Sequence, residues 1–465
     1  MCPTTMLKTH DEYNYFICLS IIIPFTWCNN NCNDVKNENF HFHLATKTPY
    51  RFVENKNVSK LTFPGCTPRQ IWMVIRHGTR NPGGKYIRAL DRLTQIQQKF
   101  LENLSKSTLC FENSKNLQQW KAPSDLLGNE KFLTKEGQKE LMELSNRMRQ
   151  RLPELFPASF SNSSYMFKYT KSQRTEQSAQ WFAKGIFGLF NSSQVWYPSP
   201  LSKDPILRFY KRCNKWKFDI DKNPESVKER NKFEKSDLVK NLIRTVTERL
   251  GLPVNYLEFE DIFYMYSYCA FETAWNDDRK GAWCSVFTIS EFEVLEYAED
   301  LEYYWIDGYG FNLTHEQACV MIRDMLHLFD VGIPQSVFYF THSGTILKLI
   351  AHLGLYKDAE HLTHEIKPDR QWRVSKIDAF GSNIGFVKYS CDNSKNPYIL
   401  LLHQEQPMKI PECSSNNFLC PLDKFIEIQR TNQDFCDFAD MCSITTKSCA
   451  YNIKWLLEKL YKCFS

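Results

Sequence analysis

Two histidines in this chain stand where chemistry is easiest to arrange. His77 lies in Arg76-His77-Gly78-Thr79-Arg80, an imidazole flanked by two guanidiniums. The flanking charges disfavour imidazolium, so the ring stays neutral and keeps a lone pair for an electrophile. The same guanidiniums can fork onto phosphoryl oxygens and match the charge that builds in a transition state at phosphorus. Taken alone, Arg-His-Gly is more often a solvated turn. The second histidine changes that: His342 follows the run Val337-Phe338-Tyr339-Phe340-Thr341 just as His77 follows Trp72-Met73-Val74-Ile75. Arg174 follows a third such run and opens a helix, whose free N–H groups also favour an anion. These residues together predict a phosphate pocket with His77 as nucleophile.

Such convergence requires a particular scaffold. In an open α/β sheet, ligands collect beyond the carboxyl ends of the strands, which makes residues placed just after a strand the first candidates for chemistry. Strand patterns occupy 70–75, 165–169, 336–341, 383–389 and 398–402. Helical spacing of apolar residues predicts helices near 86–103, from Thr134 through Leu152, over 176–190 and over 345–353. Between 192 and 324 the pattern is helical throughout, near 235–250, 259–275, 290–307 and 314–328. The expected fold is therefore α/β: a sheet flanked by helices, built from the discontinuous segments 67–191 and 325–410, with an inserted all-helical cap at 192–324. A cysteine-rich tail fills 411–465. The aromatic runs 263–268 and 303–305 are read as packing inside the cap.

Bulk properties narrow the setting. The chain has 465 residues, and its 58 basic and 53 acidic residues leave a net charge of only +5, too diffuse for nucleic-acid binding. The expected partner is a small phosphorylated molecule. Seventeen cysteines without zinc-like spacing point to disulfides and an oxidising compartment. The sequons at Asn57, Asn103, Asn162, Asn191 and Asn312 point the same way as candidate glycosylation sites. An apolar stretch at 15–27, followed by polar residues, predicts a signal peptide over 1–28, with Thr26 and Cys28 at the small-residue positions of a cleavage site. The expected location is the secretory pathway, extracellular or in the lumen of the endoplasmic reticulum, without a retention tetrapeptide, and an uncleaved anchor is the alternative to the signal peptide.

The signature Arg76-His77-Gly78-Thr79-Arg80-Asn81-Pro82 resembles that of the histidine phosphatases, in the branch of phytases and acid phosphatases. Tyr268-Cys269-Ala270-Phe271-Glu272, Trp283-Cys284, the run 292–310 and Gly354-Leu355-Tyr356-Lys357-Asp358 are similar to the multiple inositol polyphosphate phosphatases. The resemblance implies a phosphohistidine at His77, with Arg76, Arg80, Arg174 and His342 around the transferred group and Thr79 shaping the loop or meeting the substrate. It implies the pairs Cys269 with Cys284, Cys413 with Cys420, and Cys66 with a late partner such as Cys391. Inositol polyphosphates are the expected substrates, with bisphosphoglycerate-like molecules and generic acid-phosphatase substrates behind. The guanidiniums supply positive charge, so no metal or cofactor is expected.

One departure stands out. Family members place an acid just after the distal histidine, as His-Asp or His-Ala-Glu, to protonate the leaving alkoxide. This chain reads His342-Ser343-Gly344. Loss of a general acid typically costs about 10²–10⁴ in rate. The alternative reading is thus an impaired phosphatase that binds anions, and Glu272, His364, Glu365 and Asp369 are substitute candidates. Gly344→Glu, by restoring the carboxylate, is expected to raise the rate on inositol phosphates.

Overall fold

The computed structural model describes residues 38–276, 281–392, 394–413, 417–431 and 436–444. The expected signal peptide and the end of the tail lie outside them. Strand β1, Cys66–Arg76, is the spine of the molecule. With β2 (Tyr165–Tyr169), β3 (Ser336–Thr341), β4 (Asn383–Cys391), β5 (Tyr398–His403), β6 (Gln406–Met408) and β7 (Leu419–Pro421) it forms one sheet, in the order β2-β3-β1-β4-β5-β6, with β7 also on β5. β1, β3 and β2 run parallel, while β4 returns antiparallel beside β1 with Ile75 opposite Asn383. Hence the carboxyl ends of β1, β2 and β3 and the turn entering β4 all meet at one edge.

Along β1, apolar residues on both faces mark a strand covered from both sides. Ile71, Met73 and Ile75 pack among Leu141, Leu144, Met148 and Phe182. Trp72 and Val74 pack on the opposite face, in a core continuous with the inserted helices. The longer helices are α1 (Gly84–Glu102), α2 (Lys135–Arg151), α3 (Gln173–Asn191, broken at Gly188), α4 (Asp237–Arg249), α5 (Phe259–Trp275), α6 (Ile289–Asp307), α7 (Cys319–Val331) and α8 (Ser343–His352). Helices α2 and α3 cover one face, and α1 with α5 to α8 the other. None among the described residues is long and apolar enough to cross a membrane.

Three features differ from the sequence expectation. The helix expected over 314–328 is two, Asn312–Glu316 and α7. Gln317 between them is fully buried, and its side chain donates to the Thr314 carbonyl (3.2 Å). β1 begins at Cys66, because residues 66–69 extend the ladder with β4 beyond a bulge at Pro68 and Gln70. Finally, residues 38–52, ahead of the expected core, form three short 3-10 turns and bury Phe40, Leu44, Ala45 and Tyr50.

Five disulfides fall within the described residues: Cys66–Cys391, Cys213–Cys442, Cys269–Cys284, Cys319–Cys436 and Cys413–Cys420. The two that no expectation named tie the tail to the helical insertion. Among the sequons, Asn57, Asn162, Asn191 and Asn312 are exposed, while Asn103 is half-buried and donates to the Lys99 carbonyl.

Candidate active site

The loop 77–80 leaves β1 and is fastened on three sides. The His77 N–H donates to Thr341 O at the end of β3 (3.1 Å), and the His77 carbonyl accepts from Gly381 N ahead of β4 (3.1 Å). The Gly78 N–H donates to Ser178 Oγ on α3 (3.2 Å). Below the loop, α2 starts at its N-cap Thr134, whose N–H and hydroxyl both donate to Thr79 O (2.9 Å each). The approach demands glycine on both sides. A Cβ on Gly78 would lie 2.5 Å from the Gly137 carbonyl oxygen, and one on Gly137 would overlap Thr79 O.

Thr79 is held from below the loop. Its N–H and hydroxyl both donate to Glu140 (2.7 and 2.9 Å), and that carboxylate also accepts from Tyr50 N (3.0 Å). Burial raises the Glu140 carboxyl above its ordinary range. Thr79 is therefore a loop-shaping residue, and the segment at 38–52 helps hold the group that holds it.

His77 is 3% exposed. Burial first, then the charges of Arg174, Arg76, His342 and Arg80, lower its pKa well below the ordinary value. The ring is therefore neutral. Its Nδ1 lies 2.9 Å from the Gly78 carbonyl, which can only accept, so Nδ1 carries the proton and Nε2 keeps its lone pair. The His342 ring is 5.6 Å away, centroid to centroid. Arg174 Nη2 donates to His342 Nδ1 (3.2 Å), which puts the proton on Nε2, facing Thr170 Oγ1 (2.9 Å). Burial and the arginines lower the pKa of His342 well below the ordinary value too. Both its nitrogens are engaged, so it acts here by fixing Arg174 beside His77.

The arginines stand on different elements: Arg76 ends β1, Arg80 ends the loop 77–80, and Arg174 lies in the first turn of α3. Burial, then mutual repulsion, lowers Arg80 and Arg174 to about 10. The Arg76 and Arg80 guanidiniums lie 4.8 Å and 5.8 Å from the Phe380 and Phe271 rings. Sequence reasoning missed Arg208, which joins the other three arginines in depressing His342. It lies in the insertion, beside Leu207, whose carbonyl accepts from Thr341 and Thr345. Nothing in Leu207-Arg208-Phe209 distinguishes this arginine from a solvated one. The Nε atoms of Arg76, Arg174 and Arg208 are buried without a partner among the described residues, so donors exceed acceptors at this edge. An oxyanion suits such a surplus.

Asp378 was also missed. It is fully buried ahead of β4, its carbonyl accepts from Arg76, and its Oδ2 lies 3.4 Å from Arg76 Nη1. Ser343 Oγ donates to Oδ2, and Oδ1 has no partner among the described residues. Burial, aided by Asp307 and opposed by Arg76 and the Ser343 bond, pushes this carboxyl up to about 7. The available signal was topological: a segment entering the antiparallel neighbour of β1 must lie at the His77 end. Of the substitute acids, Glu272 has both oxygens taken, by Trp120 Nε1 (2.6 Å) and Ala282 N (3.0 Å), and His364 pairs with Glu229 (2.9 Å).

A parallel sheet edge carrying a neutral histidine among arginines, backed by helices and a helical insertion, defines a phosphatase of the histidine class. The family model of the histidine phosphatase superfamily (branch 2) matches residues 69–404, and the chain belongs to this family of phosphate monoester hydrolases. Within it, the chain is 32% identical to multiple inositol polyphosphate phosphatase 1 of Drosophila melanogaster, over 84% of this chain and 85% of that one. Among solved structures, the phytase from D. castellii superposes with a TM-score of 0.71 at 19% identity, covering 88% of this chain and 89% of that one. The multiple inositol polyphosphate phosphatase of Bifidobacterium longum, in complex with inositol hexasulfate, does so with 0.66 at 14%, covering 83% and 97%.

Proposed function

We propose that this protein removes phosphate from inositol polyphosphates through a phosphohistidine on His77, in the secretory pathway or outside the cell. The observation that carries the reading is the His77 Nδ1 bond to the Gly78 carbonyl, which leaves Nε2 as the free lone pair among the arginines. Nε2 attacks phosphorus as the ester oxygen departs in line, and Arg76, Arg80, Arg174 and Arg208 offset charge on the phosphoryl oxygens. Water then attacks the phosphohistidine, and inorganic phosphate leaves. The substrate class follows from the named relatives and from a positive charge surplus larger than one phosphate requires. The disulfides support an oxidising compartment.

The test is a quenched incubation with ³²P-labelled inositol hexakisphosphate. An acid-labile label on His77 is expected, together with release of phosphate. His77→Ala should form no phosphoenzyme and lose at least about 10³-fold in turnover, because no other imidazole among the described residues offers a free lone pair there. A variant that keeps wild-type turnover would overturn the mechanism.

A further inference from the structure

We propose that Ser343 and Asp378 act as a proton relay to the leaving group, Ser343 handing on a proton that Asp378 holds. The inference rests on the phosphohistidine reading above and fills the place of the acid that the sequence lacks.

Three carboxyl groups pack about the loop and the start of α8: Glu140, Asp307 and Asp378. Glu140 is bound by Thr79 and Tyr50. Asp307, at the end of α6, is ion-paired with the buried Lys348 of α8. Asp378 is the fully buried one: its Oδ1 has no partner among the described residues, and its Oδ2 lies against the Ser343 hydroxyl. Ser343 follows His342 directly, opens α8, and has the Asp378 carboxyl within hydrogen-bond reach of its hydroxyl. Asp378 also touches Arg76, the residue that precedes the nucleophile. The pair thus links Arg76 at the end of β1 to the start of α8.

The His77 Nε2 lone pair forms the N–P bond and the P–O bond breaks, leaving its electrons on the alkoxide. With the carboxyl protonated on Oδ2, the contact runs from Oδ2–H to Ser343 Oγ and frees the Ser343 hydroxyl hydrogen; the alkoxide takes that hydrogen, Ser343 Oγ takes the Oδ2 proton, and Asp378 is left as carboxylate. In the second step water attacks phosphorus and its proton returns through Ser343 to Asp378, while the N–P bond breaks and restores the lone pair to His77. The groups facing Asp378 set its titration: Arg76 of β1 and Ser343 of α8 lower it, Asp307 of α6 raises it, and burial outweighs them to leave it near 7. Donation therefore persists at acid pH and fades as pH rises through about 7.

The experiment compares burst rates of phosphoenzyme formation from p-nitrophenyl phosphate, whose phenolate leaves without a proton, and from inositol hexakisphosphate, whose alkoxide does not. Ser343→Ala should raise the ratio of the first rate to the second by about 10²–10⁴. Ser343→Thr, which restores a hydroxyl, should bring the ratio back. Asp378→Asn should raise it as well and remove the alkaline fall of the inositol phosphate burst near pH 7. Should Asp378→Asn fail to fold, the two Ser343 variants still decide, since they leave the Asp378 contact with Arg76 in place. An unchanged ratio in Ser343→Ala overturns the relay, and so does an equal loss on both substrates, which would mean that the pair only props Arg76. In either case the phosphohistidine would still form, whereas failure of the parent reading would leave wild-type protein without one.

Discussion

At Gly344 the chain lacks the carboxylate that the resemblance to the histidine phosphatases implies, and the surroundings explain why adding it is not a simple repair. A Cβ there would lie 2.9 Å from Asp307 Oδ1, and Asp307 is the partner of Lys348, whose side chain is fully buried. A second carboxylate would crowd and repel the first, so the expected gain from Gly344→Glu is reversed. We predict a loss of roughly 1–3 kcal/mol in urea unfolding and no gain in the inositol hexakisphosphate burst. Asp307→Ala alone should also destabilise, because it leaves Lys348 buried without its counter-charge. In the double variant the glutamate can take over Lys348. Gly344→Glu should then stabilise rather than destabilise, a coupling of at least about 1 kcal/mol in the double-mutant cycle. Additive effects would mean that the two positions do not share the cation. The absence of an acid at Gly344 is thus legible in the sequence, while the carboxylates that the fold packs nearby are not. Asp307 and Asp378 lie 37 residues before and 34 after Gly344 and meet it only through the fold.

The elements that aim His77 were easier to read than the contacts between them. The apolar strands 165–169 and 336–341 appear in the structure with the same ends, and α5 spans the expected 259–275. Each is a strong local pattern. Residues 38–52 carry none: their buried side chains fall on short 3-10 turns without a helical or strand period, and only tertiary contacts such as Tyr50 N to Glu140 give them a place. The same limit applies to Gly137. In the sequence it is an unfavourable residue near a helix start, and in the fold it is the surface on which the loop 77–80 rests. Gly137→Ala should gain helix propensity yet push against Thr79 backbone, with Thr79 N 2.8 Å from the new Cβ. Backbone cannot rotate away as a side chain can, so the loop must shift. The expected outcome is a net loss of about 1–3 kcal/mol in chemical denaturation and at least a tenfold fall in the phosphoenzyme burst, since the nucleophile rides on that loop. A variant as stable and as fast as wild type would show that the loop has slack.

Across the whole molecule, disulfides join segments that the sequence presents as separate. The tail returns to the insertion through Cys213–Cys442 and Cys319–Cys436, and to the sheet through β7. The insertion in turn contributes Arg208 to the catalytic edge. Cysteine count announces an oxidised protein, but connectivity is a property of the fold, which is why the pairs Cys213–Cys442 and Cys319–Cys436 were out of reach. Cys66–Cys391 and Cys269–Cys284 allow a contrast between stability and catalysis. The first closes 325 residues and joins the start of β1 to the end of β4, far along the strand from His77; the second closes 15. Chain entropy assigns the longer closure the larger effect, on the order of 5 kcal/mol against about 3 kcal/mol. Position assigns catalysis the other way, because Cys269 lies on α5 two residues from Phe271, whose ring faces the Arg80 guanidinium. Replacing Cys66 and Cys391 by serine should therefore lower the guanidinium midpoint most while leaving the phosphoenzyme burst of the folded protein within about twofold. Replacing Cys269 and Cys284 should cost less stability but slow the burst severalfold, as Phe271 loses its place under Arg80. The opposite ordering in the two measurements would mean that α5 is held by its packing alone, and that the ends of β1 and β4 are secured by their ladder without the bridge.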